Sequence, residues 1–266
     1  MLMDSHMHTC FSSDSETPVE AMIEQAIRLG IPGICMTDHY DREYFNGEFQ
    51  LDSGAYFHKM EEMKEKYRDQ IDIRIGVELG LQEQLQDWLS SYVHAYPFDF
   101  VIGSMHVLHG KDPYYPELFK GSDARQILRD YFISTEQNID SFHEFQSLGH
   151  LDYLARYFSK ELGNYSYQDY ADEIDAVLKK LITYQIALEV NTAGYKTMQR
   201  PNPDGDVLRR YRELGGEMLT IGADAHVPEY IGYRFEETVS LLRACGFRYY
   251  TVFRNKKPQM IEISAG

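Results

Sequence analysis

The chain has 266 residues, 43% of them hydrophobic and 14% aromatic, which is enough apolar material for a substantial core. Its 42 acidic and 26 basic residues give a formal net charge of −16, which argues against a general nucleic-acid binder. The three cysteines are widely spaced and do not resemble a disulfide framework. The sequence shows no signal-peptide pattern and no apolar run of membrane-spanning length. We therefore expect a cytoplasmic protein that contacts neither membrane nor nucleic acid.

Strand-like and helix-like segments alternate along the chain. A short first strand carrying His6 and His8 precedes a helix predicted over residues 18–29, with Thr17 as its N-cap and Gly30 as its stop. Apolar runs predict further strands over residues 31–37, 71–78, 98–103, 147–150, 185–190, 217–222 and 249–253. Helical periodicity predicts helices over residues 56–70, 83–95, 123–145 (one helix or two), 167–183 and 235–245.

This βα alternation predicts an α/β fold with a parallel sheet or barrel, and no linker or composition shift divides residues 1–266 into separate domains. The longest irregular segments, residues 40–54, 109–122 and 192–206, all follow strand ends, where a (β/α) barrel builds its active site. A doubly wound open sheet is the alternative architecture. Its nucleotide-binding form is disfavoured because no glycine-rich loop follows the first strand.

Histidine and carboxylate residues occur at the ends of most predicted strands. Residues two apart on a strand point to the same face, so His6 and His8 are expected to leave the first strand side by side. Because a parallel barrel brings all its strand ends to one rim, the polar residues at these ends should converge. The strand ends are His6 and His8, Asp38 and His39, Glu78, Ser104 and His106, His150 and Asp152, and Asp224 and His226.

These residue types predict a metal centre. Imidazole and carboxylate groups together suit zinc, iron or manganese, and the set is too large for one ion. A glutamate such as Glu78 can bridge two ions through its two oxygens. Ions about 3.5–4 Å apart can activate a water and neutralise a phosphate together. A single histidine at a strand end is more often a surface residue than a ligand, but so many strand ends bearing ligand types are hard to obtain by chance.

The motifs His6-x-His8, Thr37-Asp38-His39, Gly76-Val77-Glu78, Gly103-Ser104-x-His106, Gly149-His150-x-Asp152 and Asp224-x-His226 resemble the polymerase and histidinol phosphatase (PHP) superfamily. The resemblance covers most of the chain and implies a distorted (β/α)7 barrel of the PHP type with a trinuclear centre of divalent zinc, iron or manganese ions. It assigns His6, His8, Glu78 and Asp224 to a first ion. It assigns Glu78, His106 and His150 to a second, and Asp14, His39 and His226 to a third.

Two further segments resemble the stand-alone histidinol-phosphate phosphatases of that superfamily, residues 149–157 and 188–196. The resemblance implies that basic side chains of these two loops bind the substrate phosphate. Arg156 matches the first loop. In the second loop the family usually has an arginine where this chain has Lys196, so either Lys196, acting as a point charge, or Arg200 is the second phosphate anchor.

The implied reaction is hydrolysis of a small phosphorylated metabolite, L-histidinol phosphate, in histidine biosynthesis. Asp38 and Asp152 lie beside ligands and either supply a proton to the leaving alkoxide or orient those ligands, the role we favour. Ser104 is a candidate phosphate donor, and Asp41, Glu43 and Tyr115 are candidate contacts for the substrate amine and imidazole. The alternatives are a phosphoesterase for phosphotyrosine, a nucleotide or a nucleic-acid end, and a metal-binding barrel without catalysis.

Overall fold

The structure, a computed structural model, describes residues 2–162 and 165–263. A parallel sheet forms its centre, with strand order β1-β3-β4-β5-β6-β7 and the short β2 also paired to β3. Its strands are β1 (Gly33–Met36), β2 (His39–Tyr40), β3 (Asp72–Gly80), β4 (Phe100–Ser104), β5 (Ser147–Leu148), β6 (Ala187–Asn191) and β7 (Leu219–Gly222). Every residue of β4, β5, β6 and β7 is buried.

The amino-terminal segment closes the sheet into a distorted barrel. On one side Asp4 and Met7 hydrogen-bond to β1 and to the residue after it: the Asp4 N–H donates to the Gly33 carbonyl at 3.1 Å, and the Met7 carbonyl accepts from the Thr37 N–H at 2.9 Å. On the other side the His6 carbonyl accepts from the Asp224 N–H at 2.8 Å, just beyond β7. The predicted first strand is therefore present only as isolated bridges, which nevertheless join the two edges of the sheet.

Helices connect the strands and cover the outside of the barrel. Helix α1 shows the general pattern, because Met22, Ile23 and Ala26 on one face are fully buried. The predicted Thr17 cap is wrong: Pro18 occupies the N-cap position, and the Thr17 hydroxyl donates to the His226 carbonyl. The helices are α1 (Val19–Arg28), α2 (Ser53–Tyr67), α3 (Gln86–Ala95), α4 (Ala124–Ser141), α5 (Ser159–Leu162), α6 (Ala171–Tyr184), α7 (Tyr195–Met198), α8 (Gly205–Glu213) and α9 (Phe235–Ala244).

A two-stranded antiparallel hairpin packs across the amino-terminal end of the barrel. It consists of β8 (Tyr249–Arg254) and β9 (Lys257–Glu262). Arg74 near the start of β3 donates to the Phe253 carbonyl at 2.6 Å, and Asp99 accepts from the Asn255 N–H at 3.0 Å. The prediction that residues 249–253 continue the βα repeat is therefore wrong, because this strand pairs with β9 and lies outside the parallel sheet.

The predicted barrel is confirmed, and the predicted bounds of the elements differ from the observed ones by a few residues. Helices α5, α7 and α8 and strands β2 and β9 were not predicted. Helix α8 had a sequence signal, because Asp204 caps it by accepting from the backbone N–H groups of residues 206 and 207, and Val207, Leu208 and Tyr211 are buried on one face. Among the residues described, no helix combines the length and apolar character required to cross a membrane.

Candidate metal centre

The carboxyl ends of the barrel strands surround a cleft of about 570 Å³. The loop after the amino-terminal segment contributes Asp14, strand β2 contributes His39, and the loops after β4 and β7 contribute His106 and His226. Arg156 and several tyrosines also line the cleft. The structure thus brings together, at one rim, the residues that the sequence placed at separate strand ends.

Glu78 is at the centre of this cluster. It lies near the end of β3 and is fully buried. Its Oε2 atom is 3.1 Å from both His6 Nε2 and His39 Nδ1 and 3.4 Å from His8 Nε2. Its Oε1 atom lies 2.9 Å from His150 Nε2 and 3.2 Å from His106 Nε2. The two oxygens of one carboxylate therefore face different groups of histidines.

His6, His8 and Asp224 form a buried group on one side of Glu78. The His6 and His8 Nε2 atoms are 3.1 Å apart, as expected for side chains two residues apart on one face. Asp224 Oδ1 lies 3.8 Å from His6 Nε2 and 3.4 Å from His8 Nε2. All ligand atoms of this group lie within 4.8 Å of one another, which is the spacing at which one ion can contact several of them.

His106 and His150 form a second group with the other Glu78 oxygen, and their Nε2 atoms are 3.4 Å apart. The other ring nitrogen of His106, Nδ1, donates to Asp41 at 2.8 Å, and this hydrogen bond fixes the orientation of the ring. Ser104 donates to Glu78 Oε1 at 2.6 Å, so its hydroxyl is used to orient that carboxylate.

Asp14, His39 and His226 form a third, more exposed group at the mouth of the cleft. Asp14 Oδ2 is 3.0 Å from His226 Nε2 and 3.6 Å from His39 Nε2. The His8 ring stacks against both imidazoles, with its centroid 4.2 Å from that of His39 and 4.2 Å from that of His226. The side chain of Asp14 remains 39% exposed, so this group opens directly to the cleft.

The charges of the cluster perturb one another strongly. Burial opposes ionisation of Glu78, but the positive charges of His6, His39 and His106 lower its pKa well below the usual range. Burial also opposes protonation of His39, yet Glu78 and Asp14 raise its pKa to about 9. His8 differs: burial together with His39 and His226 lowers its pKa to about 3. Neutral and charged imidazoles are thus packed around the buried carboxylates of Glu78 and Asp224.

This donor set fits divalent cations. Imidazole nitrogens and carboxylate oxygens are the ligands that zinc, iron and manganese accept. Two buried atoms at the junction of the groups make no well-aligned hydrogen bond with the described residues: Asp41 Oδ2, and His39 Nδ1 although it lies 3.1 Å from Glu78 Oε2. Histidine nitrogens and carboxylate oxygens that lie 2.9–3.4 Å apart direct their lone pairs toward a shared centre. A cation bound there would coordinate these lone pairs and offset their mutual repulsion.

The three basic residues predicted to bind phosphate lie in different surroundings. Arg156 lines the cleft, and its guanidinium is held by Asn191, Asn202 and Asp224. Lys196 lies with its ammonium 3.6 Å from the Tyr230 ring centroid, and no carboxylate of the described residues pairs with it. Neither Lys196 nor Arg200 is among the residues that line the cleft, and Arg200 is paired with Asp152 at 3.3 Å and with Asp204 at 3.1 Å.

Asp38 and Asp152 are fully buried and take no part in lining the cleft. Asp38 accepts from the backbone and hydroxyl of Thr9 and from the Ser12 hydroxyl, so it fixes the loop that leads to Asp14. Asp152 accepts from Tyr165, Asn202 and Arg200.

Only two of the three residues predicted to contact the substrate amine and imidazole lie in the cleft. Tyr115 and Asp41 line the cleft, whereas Glu43 is an exposed residue outside its lining. Glu48 and Asp112 line the same wall and were not predicted, although both fall in irregular segments that follow strand ends.

Sequence reasoning also missed Glu189 and Asn191 at the end of β6. Both are buried, and both contact residues of the cluster: Glu189 contacts His6, and Asn191 contacts Asp224. The signal was available, because the two residues alternate at a strand end in the same way as His6 and His8.

Comparisons with known proteins agree with this geometry. The chain is similar to the probable histidinol-phosphatase of Clostridium acetobutylicum, with 33% identity over 249 residues that cover 93% of this chain and 95% of the relative. It is 27% identical to the histidinol-phosphatase of Lactococcus lactis, covering 96% of this chain and 95% of that protein.

Among solved structures, the chain resembles the histidinol phosphate phosphatase of Lactococcus lactis in complex with zinc, L-histidinol and phosphate. The TM-score is 0.88 at 28% identity, and the match covers 97% of this chain and 100% of the other. Residues 4–193, from the start of the barrel to just beyond β6, match the PHP domain, and the chain therefore belongs to the PHP domain family.

Proposed function

We propose that this protein is a metal-dependent phosphomonoesterase that hydrolyses L-histidinol phosphate to L-histidinol and phosphate. The observation that supports this most strongly is the cluster around Glu78, set beside Arg156 in a barrel that superposes on a phosphatase solved with zinc, L-histidinol and phosphate. Phosphoester hydrolysis needs an activated water and cations for the phosphoryl charge, and this cleft offers sites for both.

We assign three ions to the cluster. His6, His8, Glu78 and Asp224 would hold the first, and Glu78, His106 and His150 would hold the second. Asp14, His39 and His226 would hold the third. The short distances from the two Glu78 oxygens to different histidines support a bridging role for this carboxylate. Divalent ions bound at these positions supply Lewis-acid activation of water and neutralise phosphate charge.

Arg156 holds the phosphate on the side of the cleft facing the cluster. Its side chain is only 10% exposed, and Asn191 and Asn202 fix the plane of its guanidinium at 2.8 Å each. Such a fixed fork matches two phosphate oxygens at once. Lys196 is the better supported second anchor, because its ammonium is unpaired within the described chain whereas the charge of Arg200 is neutralised by two aspartates.

The outer wall of the cleft suits the organic part of the substrate. Glu48 and Asp112 provide negative charge for an ammonium group, and Tyr115 and Tyr157 provide flat aromatic surfaces for an imidazole ring. Asp38 and Asp152 hold loops in position, since both are buried behind the cleft with their oxygens already hydrogen-bonded.

The test is the rate of phosphate release by the zinc-loaded protein from L-histidinol phosphate, phosphotyrosine, a nucleoside monophosphate and p-nitrophenyl phosphate. We expect kcat/KM for L-histidinol phosphate to exceed the others by at least about 100-fold, or about 2.7 kcal/mol of transition-state discrimination. Similar weak rates on all four substrates would retain the phosphoesterase and refute the substrate. No release by zinc-loaded protein would refute the enzyme.

A further inference from the structure

Glu189 is a buried carboxylate at the end of β6 that belongs to none of the three proposed ligand groups. Only 1% of the residue is exposed, and no lysine or arginine among the described residues pairs with it. A buried carboxylate is costly unless hydrogen bonds and a nearby positive charge compensate for the lost hydration. The partners that Glu189 has therefore indicate what it does.

Both oxygens of Glu189 contact residues of the metal centre. Its Oε1 atom accepts a hydrogen bond from His6 Nδ1 at 2.6 Å. Its Oε2 atom accepts from the backbone N–H of His150 at 2.8 Å and from the Asn191 side-chain amide at 3.1 Å. One carboxylate thus contacts two residues that we assign to different ions.

The contact with His6 determines which ring nitrogen is free. When Nδ1 donates its hydrogen to Glu189, the lone pair of the neutral ring lies on Nε2. That atom lies 3.1 Å from both His8 Nε2 and Glu78 Oε2, in the first ligand group. A carboxylate behind a ligating histidine fixes the ring and makes its other nitrogen a stronger donor.

The neighbouring strand leaves room for this pair. A Cβ atom at Gly222, at the end of β7, would overlap the Cβ of His6 and lie 2.8 Å from Glu189 Oε1. A glycine at this position therefore allows the imidazole and the carboxylate to meet. The arrangement depends on three separate segments: the amino-terminal segment, β6 and β7.

The same network reaches Arg156. Asn191 donates to Glu189 Oε2 and to Asp224 Oδ2, and its Oδ1 atom accepts from Arg156 Nη2 at 2.8 Å. The amide therefore links the carboxylate behind His6 with the guanidinium that faces the cleft.

We propose that Glu189 is a positioning residue that holds His6 and the His150 backbone, and through Asn191 also Arg156, in the geometry required to bind metal and phosphate. The inference rests on the proposed metal centre but not on the identity of the substrate. It predicts that removing the Glu189 charge weakens zinc binding directly, and that hydrolysis slows only as a consequence of the weaker binding.

The test compares Glu189→Gln with Asp99→Asn in the full chain. Asp99 is a matched control, because it is also buried and accepts backbone hydrogen bonds, from Ile75 and Asn255, but at the opposite end of the barrel. Metal-free proteins, with folding verified by circular dichroism, are titrated with zinc against a chromophoric chelator. We expect Glu189→Gln to weaken the tightest zinc site by about 10- to 100-fold and Asp99→Asn to leave it within about threefold.

A second variant, Glu189→Asp, keeps the charge and shortens its reach, so its zinc affinity should lie between those of the wild type and Glu189→Gln. Should Glu189→Gln fail to fold, Glu189→Asp alone must weaken zinc binding by at least about fivefold. Unchanged zinc affinity in a folded Glu189 variant, or equal losses in Glu189→Gln and Asp99→Asn, would overturn the inference while leaving the metal centre in place. A wild-type protein that binds no zinc would refute the proposed metal centre itself.

Discussion

Replacing Arg156 by alanine should remove most of the activity, and the structure sets the size of the loss. A guanidinium has five N–H donors. Three are occupied in the protein, by Asn202 at Nε, Asn191 at Nη2 and Asp224 at Nη1. One N–H remains on each terminal nitrogen, and together these two donors form the fork that binds two phosphate oxygens.

A hydrogen bond to a charged group contributes about 1.5–3 kcal/mol, so losing two costs about 3–6 kcal/mol. At about 1.36 kcal/mol per factor of ten, kcat/KM for L-histidinol phosphate should fall about 10²- to 10⁴-fold in Arg156→Ala. Arg156→Lys keeps the charge but loses the fork, so we expect it to lie between the wild type and Arg156→Ala. The assay is initial-rate phosphate release with zinc content measured for each variant.

Arg200→Ala is the control for this prediction. Arg200 lies outside the cleft and pairs with Asp152 and Asp204, so its removal should lower the unfolding midpoint and leave kcat/KM within about fivefold. The reasoning about Arg156 would be refuted if Arg156→Ala retained its bound zinc and lost less than tenfold in kcat/KM. It would also be refuted if Arg200→Ala lost as much activity as Arg156→Ala.

Three further expectations concern the second anchor, the loop of Asp14 and the histidine charges. Lys196→Ala should lower kcat/KM about tenfold to 100-fold, mainly through KM, and Lys196→Arg should restore most of it; an unchanged KM would exclude Lys196 as a phosphate anchor. Asp38→Asn replaces one of the two oxygens that accept hydrogen bonds from Thr9 and Ser12 with an NH2 group that cannot accept, and it should lower the free energy of urea unfolding by about 1–3 kcal/mol; an unchanged free energy of unfolding would show that the loop is held by other contacts. Glu78 and Asp14 raise the pKa of His39 to about 9 despite its burial, so at pH 7.5 the metal-free protein keeps this proton, and zinc must expel it. Calorimetric zinc titrations in two buffers of different ionisation enthalpy should therefore give different heats, and equal heats would contradict the assigned charge.

The barrel was predictable because its strands follow a simple pattern. Each predicted strand of the parallel sheet is an apolar run bounded by turn residues, and the ligand types come directly after these runs. Because parallel strands end at one rim, these ligand-type residues are predicted to lie close together without further information. Asp14 was reached only through the family resemblance, because it lies in a loop whose course depends on buried hydrogen bonds to Asp38.

Other features depend on contacts that one segment of sequence does not encode. The spacing of Glu189 and Asn191 marks them as strand-end residues, but the contact of Glu189 with His6 joins segments 183 residues apart and is not encoded in the sequence of β6 alone. Strand β9 is exposed at every residue and has no apolar pattern, so it exists because β8 is available for pairing. The sequence alone does not distinguish Lys196 from Arg200 as the second phosphate anchor, because one of the aspartates that neutralise Arg200, Asp152, is distant in sequence.

The most direct test of the account is to restore zinc to the metal-free protein while following phosphate release from L-histidinol phosphate. We predict no turnover without metal and a rise that saturates only after more than one equivalent of zinc is bound, since Glu78 faces ligand groups for at least two ions. Chelation should abolish the activity again. Equal rates with and without zinc, or saturation at a single equivalent, would contradict a multinuclear metal centre as the basis of catalysis.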